Sequence, residues 1–496
     1  MTAGKATEWA PAVFRRETRL VADCVDRGAV GGQGHLAAWT GGTGTMSERG
    51  DEETTAAAGP SDGEHPARAD VRAATGRQRR PGRARERVSG SRPGGDRLET
   101  TIERIVPGGF GLAHGGGRTL FVTLAAPGDR VRVEIERTQG VVGFARIVEM
   151  LEPSPVRVPP PYPHLADCGG GDFQHLAYEA QLAAKVEIVR DCLRRIARIE
   201  APADVPMIAS PQRWHYRSRA EWHHDPERGT LGYLAQGSHR VCDVVEDPIV
   251  VPALADALRA LRQRLEAGRL PEEAREFRAA AGDEAVSFAP PLDSAEPLEI
   301  VSTVAGERYA SDADCFFQVN PGVLPALIEE ALRFASPVAG DGVDSQGVGR
   351  PAIDLYCGVG LFTVPLARRF GRVVGVESHP RSAAFAARNA TDAGLERVRI
   401  ETMPVDRWLG QRWRSYGRTP FLLLDPPRTG VDAATLQGIL RLRPARIAYV
   451  SCDPATLARD LRALLAAGHQ LERVAAFDMF PQTHHVEVVA HLVQRM

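Results

Sequence analysis

The chain has 496 residues, 43% of them hydrophobic and 25% charged, with a net charge of −2. This is the balance of a soluble globular protein with about three domains. It excludes a wholly disordered chain and a uniformly basic surface, and no run of roughly 18 apolar residues exists to cross a membrane. The seven cysteines (24, 168, 192, 242, 315, 357 and 452) share no repeated spacing. That argues against a secreted disulfide framework and for a reducing, cytoplasmic setting.

Residues 1–96 are rich in Gly, Ala, Arg, Ser and Thr without a sustained period, the composition of a disordered tail. Nine arginines fall between Arg72 and Arg97 against Glu86 and Asp96, which suits either a non-specific RNA-binding arm or a solvated tail. Met46, ahead of an acidic run, reads as an alternative start. Lysine is scarce: of 61 basic residues only Lys5 and Lys185 are lysines.

Over residues 97–155 the pattern turns to short alternating strands. Val131, Val133 and Ile135 alternate with Arg130, Arg132, Glu134 and Glu136, and Gly108, Gly109 and Gly115 to Gly117 mark turns, which predicts a small OB-like β-barrel. Residues 156–305 form a mixed α+β central domain. It opens on a Pro-rich stretch and CGGGDFQHL from Cys168, followed by an amphipathic helix from about Tyr178 to Ile199. RWHYRSRAEWHH, from Arg213 to His224, interleaves arginine and aromatic residues at strand-like spacing; it suits base stacking and a half-buried strand equally. His164, Cys168 and His175 are possible metal ligands, but no second cysteine pair completes a site, so no metal is assigned.

Residues 306–496 alternate strands and helices as in a doubly wound α/β, Rossmann-like sheet. PAIDLYCGVGLFTVPLARRF reads as strand, glycine turn and helix. RVVGVE ends a second strand at Glu377, where an acid can hold ribose hydroxyls. Gly358 and Gly360 let a ligand approach the backbone, and the incomplete G-x-G-x-x-G disfavours a dinucleotide. Asp425 ends an all-apolar strand before two prolines. Cys452 lies between the strand Ile447–Val450 and a helix with Asp453 as N-cap and Pro454 as first residue. There the free N–H groups and the helix dipole favour a thiolate. Asp354, Glu377, Asp425 and Cys452 all sit at strand ends, where ligands bind in such sheets. Glu487 follows in a last strand; His484 and His485 beside it suit surface or internally satisfied roles better than ligation.

In combination and order, FFQVN (Phe316 to Asn320), DLYCGVG (Asp354 to Gly360), Glu377, DPPR (Asp425 to Arg428), SCDPATLARDL (Ser451 to Leu461) and FPQTHHVE (Phe480 to Glu487) resemble the S-adenosylmethionine-dependent RNA 5-methyluridine methyltransferases. The resemblance runs from about Leu98 to the C-terminus, and its barrel is similar to the TRAM domain, an RNA-binding module. It implies that Gln318, Tyr356, Glu377 and Asp425 contact S-adenosylmethionine; Asp354 and Gly358 join them as cofactor-binding positions from their placement at the strand end and in the glycine turn. It further implies that Cys452 is the nucleophile, that Glu487 is the base, and that the substrate is a uridine in structured tRNA or rRNA, with no obligate protein partner evident. Many members hold a four-iron cluster on four cysteines. Here the matching positions are Tyr162, Cys168, Gly171 and Asp247, so no iron–sulfur cluster is expected. Two other readings stand beside this one: an amino-group methyltransferase acting on a base or protein, since DPPR is close to the acidic-Pro-Pro motif of such enzymes, and a non-catalytic RNA-binding protein on the same fold.

Overall fold

The computed structural model describes residues 95–495 except 236–237, 271–272, 337–348 and 417. The tail expected over residues 1–96 lies outside the described residues but for its last two positions.

Strands β1 (Arg97–Thr101), β2 (Arg104–Val106), β3 (Phe110–Gly115), β4 (Arg118–Val122), β5 (Arg130–Gln139) and β6 (Val142–Glu152) form a sheet in the order β1-β5-β6-β4-β3-β2. Its alternation follows the sequence. Val131 and Val133 are buried with Ile102, Leu120 and Val122, while Arg132 reaches outward to Glu99 and Glu149. The Thr100 hydroxyl donates to the carbonyl of His114 at 2.9 Å, tying β1 to β3 and curling the sheet into a barrel. In the β2–β3 turn Gly109 has φ +77°, and a Cβ there would come within 2.8 Å of the His484 side chain. Only glycine lets this turn rest against the loop before the last strand.

Helix α1 (Tyr178–Cys192) follows the barrel, with one π turn over Leu193–Ala197 in place of the expected continuation to Ile199. Strand β7 (Met207–Ile208) comes next. The central sheet is β8 (Arg219–Asp225), β9 (Thr230–Leu234), β10 (Val241–Asp243), β11 (Glu276–Ala281) and β12 (Val286–Ala289), in the order β10-β9-β8-β11-β12. Helix α2 (Pro252–Glu266) packs Leu254, Leu258 and Leu261 against Trp222 and Phe277. The structure decides two residues of the Arg/aromatic stretch. Trp222 is fully buried, and Arg219 donates to the carbonyls of Asp312, Ala313 and Cys315; burial draws its pKa down to about 10. Both are structural, not platforms for bases.

A hairpin, β13 (Ile300–Val304) and β14 (Glu307–Ser311), leads into the last sheet. Its strands are β15 (Ala352–Leu355), β16 (Val373–Glu377), β17 (Val398–Thr402), β18 (Phe421–Leu424), β19 (Arg446–Ser451), β20 (His469–Phe477) and β21 (Glu487–Gln494), ordered β17-β16-β15-β18-β19-β21-β20-β7. β15 to β19 pair in parallel, and β21 runs antiparallel between β19 and β20. Helices α3 (Leu324–Ala331), α4 (Thr363–Phe370) and α5 (Pro380–Asp392) cover one face; α6 (Val405–Tyr416), α7 (Ala433–Leu442) and α8 (Pro454–Ala466) cover the other. Packing crosses the boundary read at residue 305. Val189, Cys192 and Leu193, in or just after α1, share an apolar cluster with Leu355 and Leu424, and β7 pairs with β20. Strand order reverses between β15 and β18, which opens a crevice at their carboxyl ends. Among the described residues no helix is long and apolar enough to cross a membrane.

Candidate active site

β15 delivers Asp354, then turns at Tyr356 and Gly358, with φ +64° and +55°. The Gly358 N–H donates to Glu377 Oε2 at 3.0 Å, and the His379 N–H to Glu377 Oε1 at 2.7 Å. The acid ending β16 therefore pins the glycine turn and the start of α5 together. Asp354 Oδ2 accepts the Thr363 hydroxyl at 2.6 Å, while its buried Oδ1 has no partner among the described residues. Burial, reinforced by Asp425 and Glu377 and opposed by Thr363, pushes the Asp354 carboxyl up to about 7.

Across the crevice Gln318 Nε2 donates to Asp425 Oδ2 at 3.0 Å. Burial pushes Asp425 up to about 7, with the Gln318 hydrogen bond as the counterweight. Tyr356 is half-buried, and burial pushes its hydroxyl up to about 12. All six residues read as cofactor contacts therefore lie at or beside the ends of β15, β16 and β18.

The second group sits two strands along. β19 and β21 pair as far as Ser451 with Val488; carrying that register one step past the end of β19 gives a rung of Cys452 and Glu487, and the Glu487 carboxyl acts on the Cys452 thiol. Glu487 is 1% exposed and its Oε1 has no partner among the described residues. Burial first, then Asp425, lifts its carboxyl well above the ordinary range, while Arg428 pulls the other way.

The expected helix-terminus activation of Cys452 is corrected by the structure. α8 does start at Pro454 with Asp453 as N-cap, but Asp453 Oδ1 itself takes the N–H groups of Ala455 and Thr456, each at 2.9 Å. The end that was to stabilise a thiolate is occupied. Cys452 keeps part of its surface open, yet its surroundings withhold water. Burial, then Glu487, pushes the thiol up to about 12, Arg428 draws it down, and Asp425 and Asp453 add to the rise. Arg428 is the residue that sequence reading missed. It lies three positions after Asp425 on the same loop and is exposed; its place in DPPR was the available signal.

His484 is internally satisfied, its Nδ1 lying 2.5 Å from Asp172 Oδ2, and its ring stands 4.2 Å from that of His485. His164, Cys168 and His175 do not assemble. Cys168 donates to the Leu165 carbonyl at 3.4 Å, and His175 Nε2 lies 3.1 Å from the Ala125 carbonyl. Around the positions matched to cluster ligands, Gln174 bridges the N–H and carbonyl of Tyr162 at 3.0 and 2.6 Å, and Asp247 accepts the Tyr233 hydroxyl at 2.6 Å. One thiol and no other sulfur at these four positions is a donor set that does not fit a four-iron cluster.

This arrangement can be set beside known proteins. Residues 298–495 match the family model for tRNA (uracil-5-)-methyltransferases, and residues 98–156 match the TRAM domain of tRNA (uracil(54)-C(5))-methyltransferase. The 23S rRNA (uracil(1939)-C(5))-methyltransferase RlmD of Pectobacterium atrosepticum is 33% identical over 79% of this chain and 93% of its own length. The chain belongs to the RNA uracil-C5 methyltransferase family. An RNA methyltransferase of Halalkalibacterium halodurans is 32% identical over 80% of this chain and 97% of its own. The tRNA (uracil-54, C5)-methyltransferase of Pyrococcus abyssi, solved with S-adenosyl-L-homocysteine, superposes with a TM-score of 0.59 at 24% identity, covering 80% of this chain and all of that one, which establishes the shared fold. Methyltransferases of this family use S-adenosylmethionine, and the crevice has the chemistry to receive it: three carboxyl groups and an orphaned buried oxygen facing a cationic, hydroxyl-bearing ligand.

Proposed function

We propose that this chain methylates C5 of a uridine in ribosomal RNA, and that it does so through a covalent adduct between Cys452 and C6 of the base. The ribosomal choice is supported by the full-length relative named for 23S rRNA, which is closer in identity than the tRNA-modifying neighbour. The covalent route is supported by the nearness of Cys452 and Glu487, which follow and precede the last β19–β21 pair, Ser451 with Val488, and interact electrostatically. C5 of uracil is a poor nucleophile until a thiolate adds to C6 and moves electron density onto C5. S-adenosylmethionine supplies the electrophilic methyl group when bound, held by Gln318, Tyr356, Gly358, Glu377, Asp354 and Asp425. Arg428 draws the thiol of Cys452 toward its reactive form. Once C5 carries the methyl group its proton has to leave, and Glu487, a buried carboxyl beside Cys452 whose affinity for protons burial raises, takes it. The electrons of the broken C5–H bond re-form the C5–C6 double bond, and Cys452 leaves as thiolate. The barrel and the central domain are assigned to gripping RNA around the unstacked base.

The test is methylation of 23S rRNA and tRNA transcripts by the purified protein with labelled methyl donor, followed by mass spectrometric mapping. The expected result is 5-methyluridine in the rRNA alone, lost with Cys452→Ala. Product in tRNA alone would overturn the substrate, and product from Cys452→Ala would overturn the covalent route.

A further inference from the structure

Lys185 is the single lysine among the described residues, in a chain whose other basic side chains there are arginine, and its side chain is wholly buried. Its Nζ meets Asp478 Oδ1 and donates to the Phe480 carbonyl at 2.9 Å. Asp478 Oδ2 accepts the Tyr178 hydroxyl at 2.7 Å. Gln181 exchanges two hydrogen bonds with Gln482: its amide donates to Gln482 Oε1 at 2.9 Å, and its own oxygen accepts the Gln482 N–H at 3.1 Å. Tyr178, Gln181 and Lys185 stand at i, i+3 and i+7, one stripe of α1. That stripe is therefore polar, buried and directed at a single segment, the loop from Asp478 to Gln482.

The same loop is held from other directions. The Tyr216 hydroxyl donates to the Pro481 carbonyl at 3.1 Å, the Asn320 amide to the Met479 carbonyl at 3.3 Å, and the Phe173 N–H to the Gln482 carbonyl at 2.8 Å. Gln482 has φ +69°, a conformation a non-glycine residue keeps only when its surroundings enforce it. Five residues past Gln482 the chain delivers Glu487. Glu487 opens β21 opposite Phe477, the residue just before Asp478, so this loop closes the β20–β21 hairpin at Glu487, while Cys452 follows the end of the neighbouring strand β19.

We infer that Lys185 is a positioning residue for proton removal: with Asp478 it fixes the loop that aims Glu487 at the rung shared with Cys452. This rests on the covalent reading above. A guanidinium is too large and needs more acceptors than the closed site offers, which is the physical reason for a lysine here.

Asymmetry between the two groups makes the inference testable. Loosening the loop should spare adduct formation by Cys452 and slow its resolution by Glu487. Lys185→Met alone strands Asp478 as a buried charge and risks the fold. The variants to compare are therefore the apolar pair Lys185→Met/Asp478→Leu and the milder Tyr178→Phe, which leaves the ion pair intact. In single-turnover reactions of the full-length protein with uridine RNA, quenched on denaturing gels, the pair should retain S-adenosylmethionine affinity and the rate of adduct appearance. Its adduct should persist about 10²-fold longer than in the wild type, with a smaller lengthening in Tyr178→Phe. Adducts of normal lifetime in whichever of the two variants fold would overturn the positioning role. Continued methylation with no adduct in any protein would remove the covalent reading, and this inference with it.

Discussion

The amide of Gln318 donates to Asp425 across 3.0 Å, joining segments 107 residues apart at the wall of the cofactor crevice. It is the one interaction opposing the burial that lifts the Asp425 carboxyl to about 7, and Asp354 is lifted to a similar value beside it. Below pH 4 both the native and the unfolded chain hold these protons; between about 4 and 7 only the native chain does. The stability that the two groups contribute is thus fully present at low pH and lost as pH rises through about 7.

A cationic cofactor favours the ionised carboxyls, so its binding near pH 6.5 should release protons. Calorimetric titrations in buffers of different ionisation enthalpy are expected to show this, with more protons released by Gln318→Leu, where Asp425 loses its donor. An observed enthalpy independent of the buffer would show that these carboxyls are already ionised or do not face the ligand.

Glu377 is expected to couple ligand affinity to local order, since each of its oxygens holds a backbone N–H, one in the glycine turn and one at the start of α5. Glu377→Ala should cost about 1–3 kcal/mol in a denaturant melt and weaken S-adenosylmethionine binding as well. Full stability with weakened binding would mean that the carboxylate acts on the ligand alone.

How far this was legible in the sequence follows from what each residue answers to. Asp354, Glu377, Asp425 and Cys452 could be placed because apolar runs, glycines and a cap fix where each strand ends, and strand ends in such a sheet converge. The barrel was legible from the period of Val131 and Val133. Tyr178, Gln181 and Lys185 were not. Periodicity assigns a polar stripe to solvent, whereas α1 turns its polar stripe inward to meet a loop almost 300 positions away. At Cys452 sequence marked the helix start and the Asp453 cap, but not the burial and the nearby Glu487 carboxyl that push the thiol up.

Arg428 is expected to govern the pH dependence of the reaction. It is the charge that draws the Cys452 thiol down against burial, Glu487 and Asp425. Arg428→Gln should move the rise of the rate with pH to more alkaline values, and should slow alkylation of Cys452 by a neutral reagent, followed site by site by mass spectrometry. An unchanged alkylation profile would remove Arg428 from thiol activation.

The last prediction separates the two partners of the rung. RNA carrying 5-fluorouridine at the target should be methylated once and then held, because fluorine cannot leave C5 as a cation and the adduct cannot eliminate. The product should be a protein–RNA complex that survives denaturing electrophoresis, forms only when S-adenosylmethionine is present, and is absent from Cys452→Ala. Glu487→Gln should accumulate a comparable complex with ordinary uridine RNA, since addition at C6 proceeds while removal of the C5 proton slows by about 10²-fold or more. Gln keeps the length and shape of the Glu487 side chain in its buried site and removes the carboxylate that would take the proton. Normal turnover by Glu487→Gln would dismiss it as the base and leave Cys452 in place. A 5-fluorouridine complex formed by Cys452→Ala would assign the attack to another nucleophile and break the pairing read from the β19–β21 register.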